Sequence, residues 1–297
     1  MDYLRKQEKN WWIHVIMMIG SLCCFLPILL VLMVSLTDEQ TLIQNGYSLL
    51  PEKLSMDAYK YLFADASGVI KGYGVTIFVS FVGTVTSLAL TSLLGYAMAR
   101  KENPCRNVLS WIVLVTMLFN GGLVPWYCVY SDLGFVDTIW ALIIPSMLVD
   151  GFNVMIMRSF FLSCIPYSLY EAAYLDGAGD FRVFLTIVLP LAKPVIATVG
   201  FMTLLNYWND WYRSMVFMLN SDVVSIQYLM TKVLKNIQAL QASSEHLTPE
   251  MLAALGKMPS ESIRMAMAVV GSFPMLCVFP FFRKYLTSGM TIGAVKG

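Results

Sequence analysis

The chain has 297 residues, of which 58% are hydrophobic and only 13% charged, with a mean hydropathy of +0.66. About a quarter of the residues of a soluble globular protein carry charge, so this balance excludes an ordinary soluble domain and describes an integral membrane protein. The formal net charge of +1 gives no basis for a nucleic-acid or other polyanion partner, which would need a clustered basic surface.

Arg5, Lys6 and Lys9 precede an apolar run in the manner of a secretory signal. The run continues from Trp11 to Leu36, beyond the ~7–15 residues of a signal core, and no small-x-small site ends it, so it reads as a retained membrane helix. A bilayer core of ~30 Å needs about 20 apolar helical residues. Five further segments meet that length: Tyr73 to Ala99, Val108 to Tyr130, Thr138 to Met157, Val195 to Leu219 and Met265 to Phe282. Asn120-Gly121-Gly122 and Pro125 interrupt the third of the six. The expected fold is therefore an all-α membrane protein with six transmembrane helices.

Orientation follows from where Lys and Arg fall. Twelve of the 20 gather in short flanks on one side: Arg5, Lys6, Lys9, Arg100, Lys101, Arg106, Arg158, Arg182, Lys193, Arg283, Lys284 and Lys296. The opposite side has the long loops 37–72 and 220–264, where lysines are diluted by acids. Both termini are thus expected in the cytoplasm, as is the stretch between helices four and five. Within the second long loop, Ser225 to Leu240 places Ile226, Leu229, Met230, Val233, Leu234 and Ile237 on one helical face. It fits either a cap packed on the bundle or a dock for an external partner.

Chemistry is sparse. The six cysteines (Cys23, Cys24, Cys105, Cys128, Cys164 and Cys277) form no CxxC pair and mostly lie in or beside apolar segments, as free cysteines do. With only His14 and His246, neither a zinc site nor a Ser-His-Asp triad has material. No GxxxxGK[ST] occurs, so any use of ATP belongs to a separate subunit.

The polar stretch Glu171 to Pro190, EAAYLDGAGDFRVFLTIVLP, is the most informative. Pro166 suits a first helical position, Tyr167 to Leu175 reads as a short helix, and Gly177 can end it in a left-handed conformation. Asp180 reads as the N-cap of a second short helix with Phe181, Phe184, Leu185 and Val188 as its apolar stripe, stopped by Pro190. Small Ala172 and Ala173 allow close approach of another backbone, and Glu171 offers a carboxylate to a partner's arginine.

In this stretch Glu171-Ala172-Ala173 is followed after three residues by Gly177, after nine more by Ile187, and then by Leu189-Pro190. The pattern resembles the EAA motif, by which permease subunits of binding-protein-dependent ABC importers hold their ATPase. FNVMIMRSFFLSCIP, LAKPVIATVGFMTLLNYWNDW and the tail SGMTIGAVKG extend the resemblance to the maltose-permease-like carbohydrate importers, and the tail to the branch handling larger oligosaccharides or polysaccharide fragments. The resemblance implies an N-terminal helix and outer loop over 1–71 and a permease core over 72–297, with the coupling segment 166–190 and the long outer loop 220–264 inside the core. It implies that Glu171, Ala172, Ala173, Asp176 and Gly177 contact or hinge against the ATPase. The implied partners are a second homologous permease, two ATPase subunits carrying ATP and Mg, and an extracytoplasmic sugar-binding protein. No cofactor or metal is expected in this chain, and no covalent catalysis.

Polar groups inside the membrane are the candidates for a translocation pathway, because they are costly there unless they face a cavity or a partner. Asp150, Phe152 and Asn153 form one group; Asn206, Tyr207, Trp208, Asn209 and Asp210 form another, supplying aromatic faces and hydrogen-bonding groups suited to sugars. The first group equally fits bonds to neighbouring helices, and the second fits an aromatic belt at the headgroups. A self-contained secondary transporter would show an internal repeat and coupling carboxylates at the midplane, and a membrane-embedded enzyme would show a nucleophile or metal constellation; neither is evident.

Overall fold

The structure is a computed structural model that describes residues 11–64, 66–145, 148–242 and 260–294. Arg5, Lys6, Lys9, Asp65, Lys296 and the middle of the long loop with His246 lie outside the described residues. In chain order the helices are α1 (Trp11–Ser35), α2 (Glu39–Asn45), α3 (Asp57–Leu62), α4 (Ala66–Ala99), α5 (Arg106–Leu118), α6 (Leu123–Asp132) and α7 (Trp140–Ile143). Then follow α8 (Gly151–Cys164), α9 (Tyr167–Leu175), α10 (Asp180–Leu191), α11 (Lys193–Trp208), α12 (Tyr212–Phe217), α13 (Ile226–Ala242) and α14 (Glu261–Ala294). Among the described residues the only bridge between extended segments joins Thr37 and Leu54.

The fold is all-helical, with α1, α4 and residues Glu261–Leu286 of α14 each long and apolar enough to cross a membrane. Three bent pairs raise the number to six if each pair is one span: α5 with α6 at 118°, α8 with α9 at 77°, and α10 with α11 at 82°. The third expected segment breaks at Gly122 (φ 81), where Asn120 Oδ1 accepts the Gly122 N–H at 2.9 Å.

Two expected segments differ. Thr138 to Met157 is not one helix: α7 ends before Pro145, which cannot donate a helical hydrogen bond, and α8 begins anew where extended Asp150 accepts the Asn153 N–H at 3.1 Å. Val195 to Leu219 is broken at Asn209, Asp210 and Trp211, between α11 and α12.

The chain divides into two compact units. In the first, 1–67 with 230–274, α1 buries only Val34 and Ser35, so a helix without a single Asp, Glu, Lys or Arg presents nearly its whole surface outward, as a lipid-facing helix does. Its end is tied by Ser35 Oγ to the Tyr59 hydroxyl at 2.8 Å. Buried Glu39, at the start of α2, receives hydrogen bonds from the Glu261 and Ser262 N–H groups (2.9 and 3.0 Å) and from the Ser260 and Ser262 hydroxyls (3.0 and 2.7 Å). A carboxylate from α2 thus caps α14, where orphan N–H groups and the helix dipole favour negative charge.

The second unit is built around α4. Its buried side carries Gly72, Thr76, Ser80, Gly83, Ser87, Thr91 and Gly95 at intervals of three and four, a small-residue stripe that lets neighbouring helices pack close. One end of α4 meets a core of Tyr96, Met157, Phe161, Tyr170, Val183 and Val188. Farther along, Val79 packs with Ala141, Leu142, Ile143, Tyr207 and Phe217. The amphipathic expectation for 225–240 matches α13, which buries Ile226, Met230 and Ile237 and exposes Lys232 and Lys235. Its first turn is fixed by the Ile226 N–H donating to Thr76 Oγ1 at 2.9 Å.

Candidate functional site

The expected helix–turn–helix at 166–190 is present, with local differences. α9 spans Tyr167–Leu175, with Pro166 as its extended N-cap rather than its first residue. Asp176 is the C-cap and Gly177 adopts φ 78. The Ala178 N–H donates to Ala173 O at 2.9 Å and the Gly177 N–H to Tyr174 O at 3.0 Å, the paired bonds of a Schellman cap. Gly179, not Asp180, precedes α10. The expected stop at Pro190 does not occur: Phe184–Val188 is wound as π-helix and the chain continues helically to Leu191.

The apolar stripe also differs from the expected one. Val183, Phe184 and Val188 are buried, whereas Phe181 and Leu185 stand exposed. On α9, Tyr170 and Ala173 face the core, while Glu171, Ala172 and Asp176 are exposed. Leu175 is 89% exposed and Phe181 66%. Leu175 and Phe181 are thus open apolar side chains on the same helix pair as the exposed Glu171 and Ala172.

The opposite side of α9 is held by α4. Arg100, directly after α4, is buried, and its guanidinium carbon lies 4.3 Å from the centre of the Tyr170 ring and 5.2 Å from that of Tyr174. Its Nη2 donates to the Tyr174 hydroxyl at 2.8 Å and pairs with Glu102 Oε2 at 2.9 Å. The Tyr174 hydroxyl in turn donates to Asp180, and that of Tyr167 to Glu102. The Tyr167 bond holds the Glu102 carboxyl below its usual range, and burial pushes the Tyr170 phenol up to about 12.

The pathway candidates fall into distinct environments. Phe152, Asn206 and Asn209 are exposed; Asn153, Tyr207 and Trp208 are buried. Tyr207 donates its hydroxyl to Ile143 O at 2.8 Å. Asp210 pairs through Oδ2 with Arg213 Nε at 2.9 Å, and Arg213 also donates Nη1 to Pro145 O at 3.2 Å. Asp210 and Arg213 therefore join the break after α11 to the break after α7. Asp150 occupies the N-cap of α8.

Sequence reading missed Arg100 and Arg213 as structural centres. Tyrosines at 167, 170 and 174 share one helical face, which was the available signal for a partner there; nothing local marks Arg213 as buried. Trp126, stacked on Tyr212 at 6.2 Å beside the second pathway group, was also not singled out. Among the described residues no group of His, Cys, Asp and Glu is placed to hold a metal ion.

The chain matches, over residues 6–292, the family described as the inner membrane component of binding-protein-dependent transport systems. It is 33% identical to the polygalacturonan/rhamnogalacturonan transport system permease protein YtcP of Bacillus subtilis (strain 168), covering 96% of this chain and 97% of that one. It is 35% identical to protein LplC of the same organism, covering 92% and 89%. A crystal structure of a bacterial ABC transporter involved in the import of the acidic polysaccharide alginate contains a chain that superposes with a TM-score of 0.78 at 27% identity, over 95% of this chain and 98% of that one. The protein belongs to the family of inner membrane components of binding-protein-dependent transport systems.

Proposed function

We propose that this chain is the permease subunit of an ABC importer for an oligosaccharide or polysaccharide fragment, crossing the cytoplasmic membrane six times with both termini inside. It shares the translocation pathway with a second, homologous permease, receives sugar from an extracytoplasmic binding protein, and leaves ATP binding and hydrolysis to two separate ATPase subunits. The observation that carries this reading is the open face of α9 and α10, where Glu171, Ala172 and Leu175 are exposed on a helix whose other side is anchored. Glu171, Ala172, Ala173, Asp176 and Gly177 form the coupling helix and its hinge. Phe152, Asn206 and Asn209 supply side chains to the pathway, and Asp150, Asn153, Tyr207, Trp208 and Asp210 shape it. Domain boundaries at 71/72, with 166–190 coupling and 220–264 outside, follow from the same topology.

The test is co-purification and labelling. Glu171→Arg should strip the ATPases from the membrane complex while leaving insertion unchanged. A cysteine at Leu175 should react with an impermeant maleimide only in inside-out vesicles and should be shielded by the ATPases. Transport by the chain without an ATPase, or labelling of Leu175→Cys from outside, would overturn the reading.

A further inference from the structure

We propose that Arg100 is a positioning residue that makes the end of α4 and the α9–Gly177–α10 turn move as one body, so that a push on α9 reaches α4 without slack. The inference rests on the coupling reading above.

Arg100 is 7% exposed, and a guanidinium so far from water is kept only where its surroundings replace its hydration. Tyr170 and Tyr174 cover it with ring faces, Tyr96 adds a third at 6.0 Å, and Glu102 supplies the counter-charge. These contacts reach both sides of the turn: Tyr170 and Tyr174 lie on α9, and Tyr174 passes a hydrogen bond to Asp180, the first residue of α10. Tyr96 and Arg100 itself belong to the end of α4, where the Arg100 N–H donates to Tyr96 O at 3.1 Å. From the other flank, Arg158 Nε of α8 donates to Met98 O at 3.4 Å.

Apolar packing of Tyr170, Val183 and Val188 already seats the helix–turn–helix against Tyr96 of α4, but such contacts are non-directional and yield when pressed. One planar cation held directly on α9, and relayed to α10 through the Tyr174 hydroxyl, removes that give, since the flat fork of an arginine stacks and hydrogen-bonds at once, as a lysine cannot. α4 carries the movement onward through close contacts that leave no play: a Cβ added at Gly95 would meet Met157 Cβ at 2.9 Å, and one added at Gly83 would meet the Tyr207 ring. The exposed face of α9 thus serves the partner, and its tyrosine face serves α4.

The experiment uses the whole transporter in lipid nanodiscs, with native cysteines replaced and spin labels at Val85→Cys on α4 and Thr186→Cys on α10, both exposed positions. Pulsed electron paramagnetic resonance is recorded without nucleotide and with ATP plus vanadate. The proposal expects one narrow 85–186 distance distribution that is the same in both states, and in Arg100→Met a distribution that broadens and shifts when ATP and vanadate are added. Arg100→Lys should restore part of the narrowing, which a general loss of packing would not predict. A nucleotide-dependent 85–186 distance in the unsubstituted chain, or an Arg100→Met variant indistinguishable from it, overturns the proposal. If Arg100→Met does not accumulate, Tyr174→Phe and Arg100→Lys decide on the same readout: broadening supports the proposal and an unchanged distribution overturns it. Failure of the coupling reading would show separately, as ATPases that stay bound to Glu171→Arg.

Discussion

Gly83 lies against the face of Tyr207 so closely that a Cβ at position 83 would stand 2.4 Å from the ring's Cζ. The ring has no easy retreat, because it is buried and its hydroxyl is committed to Ile143 O. Gly83→Ala should therefore destabilise the protein by about 1–3 kcal/mol, the usual cost of overpacking. Gly74 sits in the same helix with nothing within 4 Å of an added Cβ, so Gly74→Ala should be neutral or stabilising by up to ~1 kcal/mol. Thermal unfolding of the two variants in one detergent checks the contrast; equal shifts would refute it.

Gly177 poses the reverse case, since nothing crowds it but its φ is 78. Gly177→Ala should cost about 1 kcal/mol of local strain and weaken ATPase association roughly fivefold, while Gly177→Asn, which tolerates the left-handed region, should lose less. Titration of the ATPase onto permease complexes in nanodiscs measures both.

Asp210 neutralises Arg213, whose side chain is 2% exposed. Asp210→Asn should destabilise by about 3 kcal/mol, because a buried cation loses its counter-charge. Replacing Asp210 by Leu together with Arg213→Met should cost clearly less than the sum of the single changes. A double-mutant cycle on melting temperatures gives the answer, and simple additivity would exclude coupling between Asp210 and Arg213.

Glu39 connects pH to the start of α14. Burial pushes its carboxyl up, but the N–H groups of Glu261 and Ser262 and the hydroxyls of Ser262 and Ser260 outweigh burial and hold it below the ordinary value. A carboxyl lowered on folding stabilises above its unfolded-state pKa, and that stabilisation is lost as pH falls through the lower, folded value. The α14 cap should therefore be intact at neutral pH and weaken under acid below the usual carboxylate range. Glu39→Ala should remove about 1–2 kcal/mol at pH 7. Amide hydrogen exchange at 261–264 should quicken in the variant at neutral pH, and the difference from the unsubstituted chain should shrink in acid.

Much of the fold is legible in the residues themselves. α1 matches its apolar run almost residue for residue, and α9 with the left-handed Gly177 follows from proline, glycine and helix length. These are local signals, each carried by a few neighbouring side chains. The break between α7 and α8 is not local: its apolar pattern passes for a continuous span, and Arg213, 68 positions away, supplies the bond to Pro145 O. Likewise no local pattern announces the π winding of Phe184–Val188, after which α10 continues past Pro190 to Leu191. Arg100 announces itself in sequence only as a boundary charge, because the tyrosine it most closely covers, Tyr170, arrives 70 residues later. At the candidate site, the exposed residues of α9 were readable, and the anchoring ones were not.

The cap on α14 also sets an order of events in time. Glu39 emerges from the ribosome 222 residues before Glu261, whose N–H it binds. At about 5–20 residues per second the interval is roughly 10–45 s, during which the carboxylate has only water to satisfy it. The first loop is therefore finished by nearly the last helix made, and a polypeptide released before residue 260 would contain all of that loop without the contact that locks it.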